Sequence, residues 1–188
     1  HEHQDHIAGL DDLRPFIFRS KASMTVAASQ RVLDRLTKVY DYAFTPQPYP
    51  GAPSFELIAI KSDKSLTIKG VEIEPLEVLH GQLPVLGFRV GDMAYITAVN
   101  GISEEVFEKV AGVRTLFLDA LHHRIHYSHY TLKQAVEVAE RVGAEQTYFI
   151  HMSHYMGLHD EVNAGLPEGM ELAYDGLKVP FNYSAKDK

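Results

Sequence analysis

The first six residues, His1-Glu2-His3-Gln4-Asp5-His6, constrain the chain more than any other feature of its sequence. They contain four potential metal ligands, at positions 1, 3, 5 and 6. One helix face cannot present all four, because residues share a face only at spacings of three or four. A tight loop can bring them together, with His1 and His3 on one side of the chain and Asp5 and His6 turned towards another side. Imidazole and carboxylate ligands in this arrangement suit two neighbouring ions of zinc, iron or manganese.

The composition agrees with metal chemistry and excludes several other functions. The chain has 188 residues, a formal net charge of -7, 11 histidines and no cysteine. The absence of cysteine excludes disulfides, thiolate zinc sites and a cysteine nucleophile, and it fits a reducing compartment, so we expect a cytoplasmic protein. The negative charge argues against extended nucleic-acid binding, which needs a basic face. No apolar run approaches the ~18 residues that a membrane span needs.

A surface histidine cluster or a purification tag is the alternative to a metal site at the start of the chain. A tag would be a homopolymer, whereas this motif contains Asp5 and continues into the apolar segment Ile7-Ala8-Gly9-Leu10. The motif is therefore interpreted as a metal site. Asp12 and Arg14, which follow it, are expected to hold it by a salt bridge.

Hydrophobic periodicity predicts strands first and strand–helix–strand units afterwards, which indicates layered α/β packing. The predicted helices are Ser29 to Val39, capped by Ser29, Ser103 to Val110, and Thr131 to Val142, ended by Gly143. The predicted strands are Phe55 to Ile60, Ser65 to Ile68, Val71 to Val78, Val85 to Val90, Met93 to Thr97, Thr115 to Asp119, Thr147 to Ile150, Glu171 to Ala173 and Leu177 to Pro180. Lys69-Gly70 and Gly91-Asp92 are predicted hairpin turns, Thr45 to Ser54 an exposed loop, and Ser184 to Lys188 a frayed tail.

The motif His-x-His-x-Asp-His is the hallmark of the metallo-β-lactamase superfamily, which the chain resembles as far as about Leu177. Residues 1–14, HEHQDHIAGLDDLR, resemble its phosphodiesterase branch, which includes the carbon–phosphorus lyase accessory cyclic phosphodiesterase and, more distantly, tRNase Z. The resemblance implies one metallo-β-lactamase-like domain over residues 1–188, built as a four-layer αββα sandwich with metals at one edge. Strands precede the motif in this family, so we expect the N-terminal strands to be missing from this chain.

The same resemblance implies two further metal ligands at strand ends. His80 follows a predicted strand and precedes Gly81 to Phe88, a segment similar to the family's second metal motif, so it is expected to join His1 and His3. His151 follows Thr147 to Ile150 directly and resembles the family's last metal motif. It is expected to complete the site of Asp5 and His6. A polar residue at a turn remains the alternative for each.

One position departs from the family pattern. The family places a bridging aspartate at the end of the strand that here is Tyr95 to Asn100, and alignment on Thr97 and Asn100 puts Ala98 there. Because a bridging carboxylate offsets the repulsion between two dications, we expect weaker binding of a second metal, or one metal only. The sequence leaves three alternative explanations open: an engineered knock-out, natural divergence, or an alignment shifted by one residue. Asp92, the nearest acidic residue, lies in the hairpin turn on the wrong side of the strand.

A general acid is expected in the loop before the third predicted helix. Ser128-His129-Tyr130-Thr131 resembles the His-Ser-Thr segment of tRNase Z-like enzymes, whose histidine protonates the leaving oxygen. Asp119, at the end of the preceding strand, is expected to fix the tautomer of His129. His122, His123 and His126 share this loop. His126 and, further on, His154 and His159 are expected to line the substrate pocket, with polar surface as the alternative reading.

Together these expectations describe a metal-dependent hydrolase. The resemblance implies hydrolysis of a small anionic substrate, most of all a cyclic phosphodiester, by a metal-activated hydroxide that Asp5 orients, with His129 as general acid. One or two divalent ions are expected, Zn²⁺ or Mn²⁺ first and iron third. A thioester or lactone hydrolase on the same fold is the enzymatic alternative, and a non-catalytic binding or scaffold protein is the other. The sequence leaves the oligomeric state open, with a homodimer among the expectations.

Overall fold

The chain folds into two compact units, residues 1–61 and the part that begins at Ser62. The computed structural model describes residues 1–183, so the tail from Ser184, which we expect to be frayed, lies outside the described residues. Across those 183 residues, no helix combines the length and the apolar character needed to cross a membrane. The expectation of a single domain stays a prediction.

The first unit combines short helices with a two-stranded parallel sheet. Its elements are α1 (Gln4–Ile7), a 3-10 helix (Ala8–Leu13), α2 (Arg14–Ser20), β1 (Met24–Ala28), α3 (Gln30–Val39), α4 (Asp41–Phe44) and β2 (Phe55–Ala59). Strands β1 and β2 pair in parallel, with Met24 opposite Phe55. The periodicity prediction for α3 is confirmed, because Val32, Leu33 and Leu36 are buried and Ser29 holds the N-cap position, although its side chain makes no capping hydrogen bond.

The second unit is built on a mixed seven-stranded sheet. Its strands are β3 (Leu66–Ile68), β4 (Val71–His80), β5 (Leu83–Val90), β6 (Met93–Ile96), β7 (Thr115–Asp119), β8 (Gln146–Ile150) and β9 (Met170–Leu172), and its helices are α5 (Glu104–Val110), α6 (Leu132–Val142) and α7 (His159–Asn163). The strands lie in chain order, β3 to β9. Neighbours are antiparallel from β3 to β6 and parallel from β6 to β9. The mixed α/β class predicted from the sequence is confirmed.

The core of the second unit lies where α5 and α6 cover the sheet. Strand residues such as Leu76, Ile96, Leu118 and Phe149 are fully or almost fully buried there, packed with residues of both helices. Helix α6 begins with a complete capping box between Thr131 and Gln134, which explains why its predicted start was accurate to one residue. This packing fixes the strand ends on which the candidate site depends.

The structure differs from the predictions at several places. Leu177 to Pro180 is not a strand, because β9 ends the sheet at Leu172 and the chain then turns at Asp175-Gly176. Strand β1 and the short helices α4 and α7 were not predicted. All five residues of β1 are only partly buried, and their sequence lacks the alternation that identifies a strand.

Candidate metal centre

In the first unit, the opening motif gathers three imidazoles. His1 Nε2 lies 2.9 Å from His3 Nδ1, and the His1 ring centroid lies 4.4 Å from that of His3 and 4.2 Å from that of His6. Asp5 Oδ2 lies 3.4 Å from His6 Nε2. The expected tight loop holds only for the first three residues, since Gln4–Ile7 is a helical turn that begins after His3.

The core of the first unit holds this helical turn in place. Ile7 is buried against the apolar face of α3. The buried Tyr40 hydroxyl lies 2.6 Å from the Ile7 carbonyl oxygen and 3.0 Å from that of Ala8, so it donates at the carboxyl end of the turn. Nothing in the sequence pattern pointed to this role of Tyr40. A tyrosine that follows an amphipathic helix can equally well be a core residue without such a hydrogen bond.

Arg14 has a different partner from the one expected. Its guanidinium binds both carboxylate oxygens of Asp11, at 2.7 and 2.8 Å, and it also donates to the Tyr49 hydroxyl and the Gly51 carbonyl. The pairing expected with Asp12 is therefore wrong. Residues three apart lie above one another in a 3-10 helix, and this places Asp11 on the same side as Arg14. The hydrogen bond from Arg14 lowers the pKa of Asp11.

In the second unit, the candidate residues meet at the carboxyl edge of the sheet, where the parallel strands β6, β7 and β8 end. Asp119 is the last residue of β7 and lies opposite Ile150 of β8, so His151 follows directly beside it. Ala98 follows the end of β6 by two residues. Ligand sites of α/β sheets lie outside the carboxyl ends of the strands. The two predicted strands that end here, Thr115 to Asp119 and Thr147 to Ile150, are confirmed.

Two residues at this edge have a strained backbone. Ala98 has φ 50° and His151 has φ 63°, in the left-handed region that residues other than glycine rarely adopt. Strain of this kind persists only where the surroundings over-determine it, and it concentrates at functional sites. Ala98 is fully buried, and its side chain offers no ligand atom.

His80 lies at the end of β4, with one ring nitrogen already occupied. Its Nδ1 lies 3.0 Å from the Ser128 carbonyl oxygen and, since a carbonyl only accepts, Nδ1 carries the proton. This leaves Nε2 as the nitrogen with a lone pair for a cation. The role of Ser128 could not be found from the sequence, because any residue supplies a backbone carbonyl.

Asp119 and His129 form the buried centre of the edge. His129 Nδ1 lies 3.1 Å from Asp119 Oδ1, and the carboxylate is completely buried. The ring of His129 lies between two others, with centroids 4.6 Å from His80 and 4.9 Å from His151. The sequence-based pairing of Asp119 with His129 is present in the structure. A histidine held this way has its Nε2 directed away from the carboxylate.

The two residues expected to bind substrate differ in their surroundings. The ring of His126 lies 5.1 Å from that of His129, and its Nδ1 accepts the Ser128 backbone N–H at 3.3 Å. Burial first, and then the neighbouring His129 and His122, lower the pKa of His126. His154 is exposed, and its ring centroid lies 3.9 Å from that of Tyr155, with the two rings tilted by 41°.

His159, another candidate pocket residue, belongs to the fold instead. Its Nδ1 lies 3.1 Å from Asp160 Oδ1 and its Nε2 lies 3.1 Å from the Leu172 carbonyl oxygen, which ties α7 to β9. Both contacts raise the pKa of His159, with the Asp160 hydrogen bond as the larger cause.

The donor set fits a divalent cation. In histidine metal ligands, one ring nitrogen binds the metal while the other donates to a carbonyl or carboxylate, and this is the state of His80 on Ser128. His151 Nδ1 lies 3.3 Å from Asp119 Oδ1. Imidazole and carboxylate ligands without thiolates suit zinc or manganese.

The fold and this histidine-lined sheet edge define a mixed α/β protein with a metal-binding site, and comparison with known proteins identifies the family. The family model described as "Beta-lactamase superfamily domain" matches residues 1–152. The chain belongs to this superfamily, whose members are mostly hydrolases, and the resemblance inferred from the opening motif is confirmed.

Three solved structures share the fold. One is described as a new diphosphatase from the PhnP family. It is 35% identical, has a TM-score of 0.88, and is matched over 97% of this chain and 69% of that one. The short form of human tRNase Z is 14% identical with a TM-score of 0.69, over 96% of this chain and 77% of its own. Zn²⁺-bound PqqB from Methylobacterium extorquens is 16% identical with a TM-score of 0.65, over 94% and 70%. The last two show the fold alone.

One curated relative is named for a different activity from that of the diphosphatase. An octanoyltransferase of Porphyromonas gingivalis is 38% identical over 180 residues, which are 95% of this chain and 36% of that protein. This chain therefore spans about a third of the relative that it matches.

Proposed function

We propose that the chain is a metal-dependent hydrolase of a small phosphodiester, most of all a cyclic one, with His129 as the general acid. The observation that carries this proposal is the position of His129, whose Nδ1 faces the buried Asp119 and whose ring lies between His80 and His151. A general acid in this place stands beside two proposed metal ligands. The 35% identical structure described as a diphosphatase supports cleavage of a phosphorus–oxygen bond.

The residues proposed as metal ligands are those predicted from the sequence, for one or two cations: His1, His3, Asp5, His6, His80 and His151. Zn²⁺ and Mn²⁺ are the proposed ions, with iron as the third choice. Such a cation, when bound, lowers the pKa of water towards neutrality and polarises phosphoryl oxygens. Asp5 is also proposed to orient the attacking water.

The chain's own residues supply the proton for the leaving group. Because Nδ1 of His129 faces Asp119, Nε2 is the nitrogen from which a proton would pass to the leaving group, and the buried carboxylate would stabilise the imidazolium that donates it. Transfer of this proton to the departing oxygen avoids release of an alkoxide, which is worth about 10²- to 10⁴-fold in rate. His126 and His154 are proposed to contact the substrate.

A small substrate follows from the charge. At a net charge of -7, the chain lacks the excess of basic residues with which proteins neutralise a long phosphate backbone. We propose that it binds neither extended nucleic acid nor membrane, and that it is cytoplasmic. A homodimer stays a prediction.

The decisive experiment compares substrates that differ in their leaving groups. The unsubstituted chain and His129→Ala are assayed with Zn²⁺ or Mn²⁺ on a panel of cyclic phosphates, on bis-p-nitrophenyl phosphate and on an acyl thioester. We expect turnover of a cyclic phosphate, and a loss in His129→Ala of about 10²- to 10⁴-fold for that substrate but much less for bis-p-nitrophenyl phosphate, whose leaving group needs no acid. His159→Ala, which removes an imidazole outside the site, is the matched control.

A thioester hydrolase is the second candidate, because the 38% identical relative is named for the transfer of an octanoyl group, an acyl reaction. Preferential turnover of the thioester with little effect of His129→Ala would favour this candidate. Failure to turn over any phosphodiester, also after Ala98→Asp restores a carboxylate at the bridging position, would refute the phosphodiesterase proposal. Stoichiometric metal in elemental analysis would argue against a scaffold protein, which has no need to retain it.

A further inference from the structure

The loop that carries His129 also exposes two large apolar side chains to solvent. Ile125 is 91% exposed and Tyr127 is 80% exposed. A single exposed apolar residue needs no explanation, but Tyr127 comes two residues before the proposed general acid. Its aromatic ring therefore lies in water beside the residues that are proposed to act on a substrate.

The ring of Tyr127 extends a row of imidazoles outwards from His129. The His126 centroid lies 5.1 Å from that of His129, and the Tyr127 centroid lies 4.6 Å from that of His126, with the two rings tilted by 34°. Among the described residues, His126 is the only ring in contact with Tyr127. Most of the Tyr127 ring is thus open to a ligand.

Tyr155, the other exposed tyrosine near the histidines, has more neighbours. Its ring centroid lies 3.9 Å from that of His154 and 6.2 Å from that of His122, and the Arg124 guanidinium carbon lies 5.4 Å from it. Of the two tyrosines, Tyr127 is therefore the one with more ring surface free for stacking.

The backbone from which the Tyr127 ring projects is fixed by a neighbouring loop. The Asn100 side-chain amide donates to the Tyr127 carbonyl at 2.8 Å, and its oxygen accepts the Gly81 N–H at 2.8 Å. The next carbonyl, that of Ser128, accepts from His80 Nδ1. Because two successive carbonyls are held in this way, the loop is ordered before a ligand arrives, and this reduces the entropy lost on binding.

We propose that Tyr127 is a specificity-determining residue, on which the aromatic base of a nucleotide-type phosphodiester stacks while the phosphate lies at His129. This inference rests on the proposed function and deepens it, because it names a substrate that carries a base. Stacking of one base on an aromatic side chain is worth about 5- to 150-fold in affinity. Since the chain has a net charge of -7, an attraction that does not depend on charge suits an anionic substrate.

The first measurement is a ratio of two kcat/KM values, for adenosine 2′,3′-cyclic phosphate and for a cyclic ribose phosphate without a base. We expect Tyr127→Leu to lower this ratio about 5- to 150-fold, because only the first substrate stacks. Tyr127→Phe keeps the ring and should keep the ratio. Ile125→Ala is the matched control, since it removes a more exposed apolar side chain from the same loop. A ratio within twofold of that of the unsubstituted chain in Tyr127→Leu would overturn the proposal.

The second measurement needs no turnover. The chain has no tryptophan, so Tyr127→Trp introduces a single fluorescent reporter at the proposed stacking surface. We expect adenosine 5′-monophosphate to quench its fluorescence saturably, whereas ribose 5-phosphate, which has no base, should not. Tyr174→Trp, at another exposed position, should respond to neither compound.

The two measurements separate failure of this inference from failure of the proposed function. Quenching by adenosine 5′-monophosphate without turnover of any phosphodiester would support a base-binding surface and refute the phosphodiesterase proposal. Turnover of a cyclic phosphate without quenching of Tyr127→Trp would leave the proposed function intact and overturn the stacking role of Tyr127.

Discussion

Replacing Ala98 by aspartate should change stability in opposite directions without and with metal. The backbone accepts the change, because φ is 50° at this position and aspartate populates the left-handed region several-fold more often than most residues. The cost is electrostatic. Ala98 is fully buried, and its N–H already lies 3.1 Å from Asp119 Oδ1. A new carboxylate would therefore be desolvated beside an existing one.

The size of this penalty follows from the geometry. Two like charges about 5 Å apart repel by about 3 kcal/mol at an effective dielectric constant of about 20. For a chain of this length, each kcal/mol of unfolding free energy shifts Tm by about 2–4 °C, so the metal-free variant should melt about 6–12 °C below the unsubstituted chain. A bound cation reverses the sign, because it neutralises the pair. The rise in Tm on addition of Zn²⁺ should therefore be larger in Ala98→Asp by at least this amount.

The assay is thermal unfolding with chelator and with Zn²⁺, together with elemental analysis of metal per chain. Ala98→Asn is the matched control, since asparagine also adopts the left-handed conformation but adds no charge; it should melt close to the unsubstituted chain in both conditions. If metal-free Ala98→Asp is as stable as the unsubstituted chain, and Zn²⁺ raises both melting temperatures equally, then residue 98 does not face the cation and the reasoning fails.

Three further predictions concern the metal, the first unit and the pH dependence. Chelation should lower Tm of the unsubstituted chain, because a metal at 100 times its Kd stabilises the native state by about 2.7 kcal/mol, or about 5–11 °C; an unchanged Tm in differential scanning calorimetry would contradict this. Tyr40→Phe should cost about 1–3 kcal/mol in urea unfolding, because it leaves the buried carbonyl of Ile7 without its donor, whereas Tyr174→Phe, at an exposed position, should change little. The pKa of His159 is raised by Asp160, so the pair stabilises the fold fully below pH ~6.5 and loses that contribution as pH rises through the raised pKa. Asp160→Asn should return the NMR titration midpoint of His159 towards its ordinary value, and an unchanged midpoint would refute the assignment.

The strand ends of the second unit could be predicted because short apolar runs end at residues with ionisable side chains. All residues of Thr115 to Asp119 except Phe117 are buried, and β8 ends directly before His151, as predicted. Parallel neighbours end at the same edge of a sheet, and the pairing of β7 with β8, which the sequence did not predict, places Asp119 beside His151. The local sequence pattern was sufficient here because a short apolar run marks both a buried strand and the residue at which it ends.

The hydrogen-bond partners at the same edge could not be predicted. His80 donates to a carbonyl of Ser128, and Asp119 accepts from the backbone of Ala98 and Tyr130. Backbone groups are the same in every residue, so no side-chain pattern identifies them. Strand β1 escaped prediction for a related reason: its partner, β2, lies about 30 residues further along the chain, and that pairing rather than local sequence makes it a strand.

The hydrogen bonds of Asp119 link two positions of the site. The carboxylate accepts from His129 Nδ1 and from the backbone N–H groups of Ala98 and Tyr130. Yet the link between the two positions runs through a backbone N–H, which any residue except proline preserves. Substitutions at position 98 should therefore change how many cations bind without disturbing the orientation of His129, whereas substitutions at position 119 should disturb that orientation whatever stands at position 98.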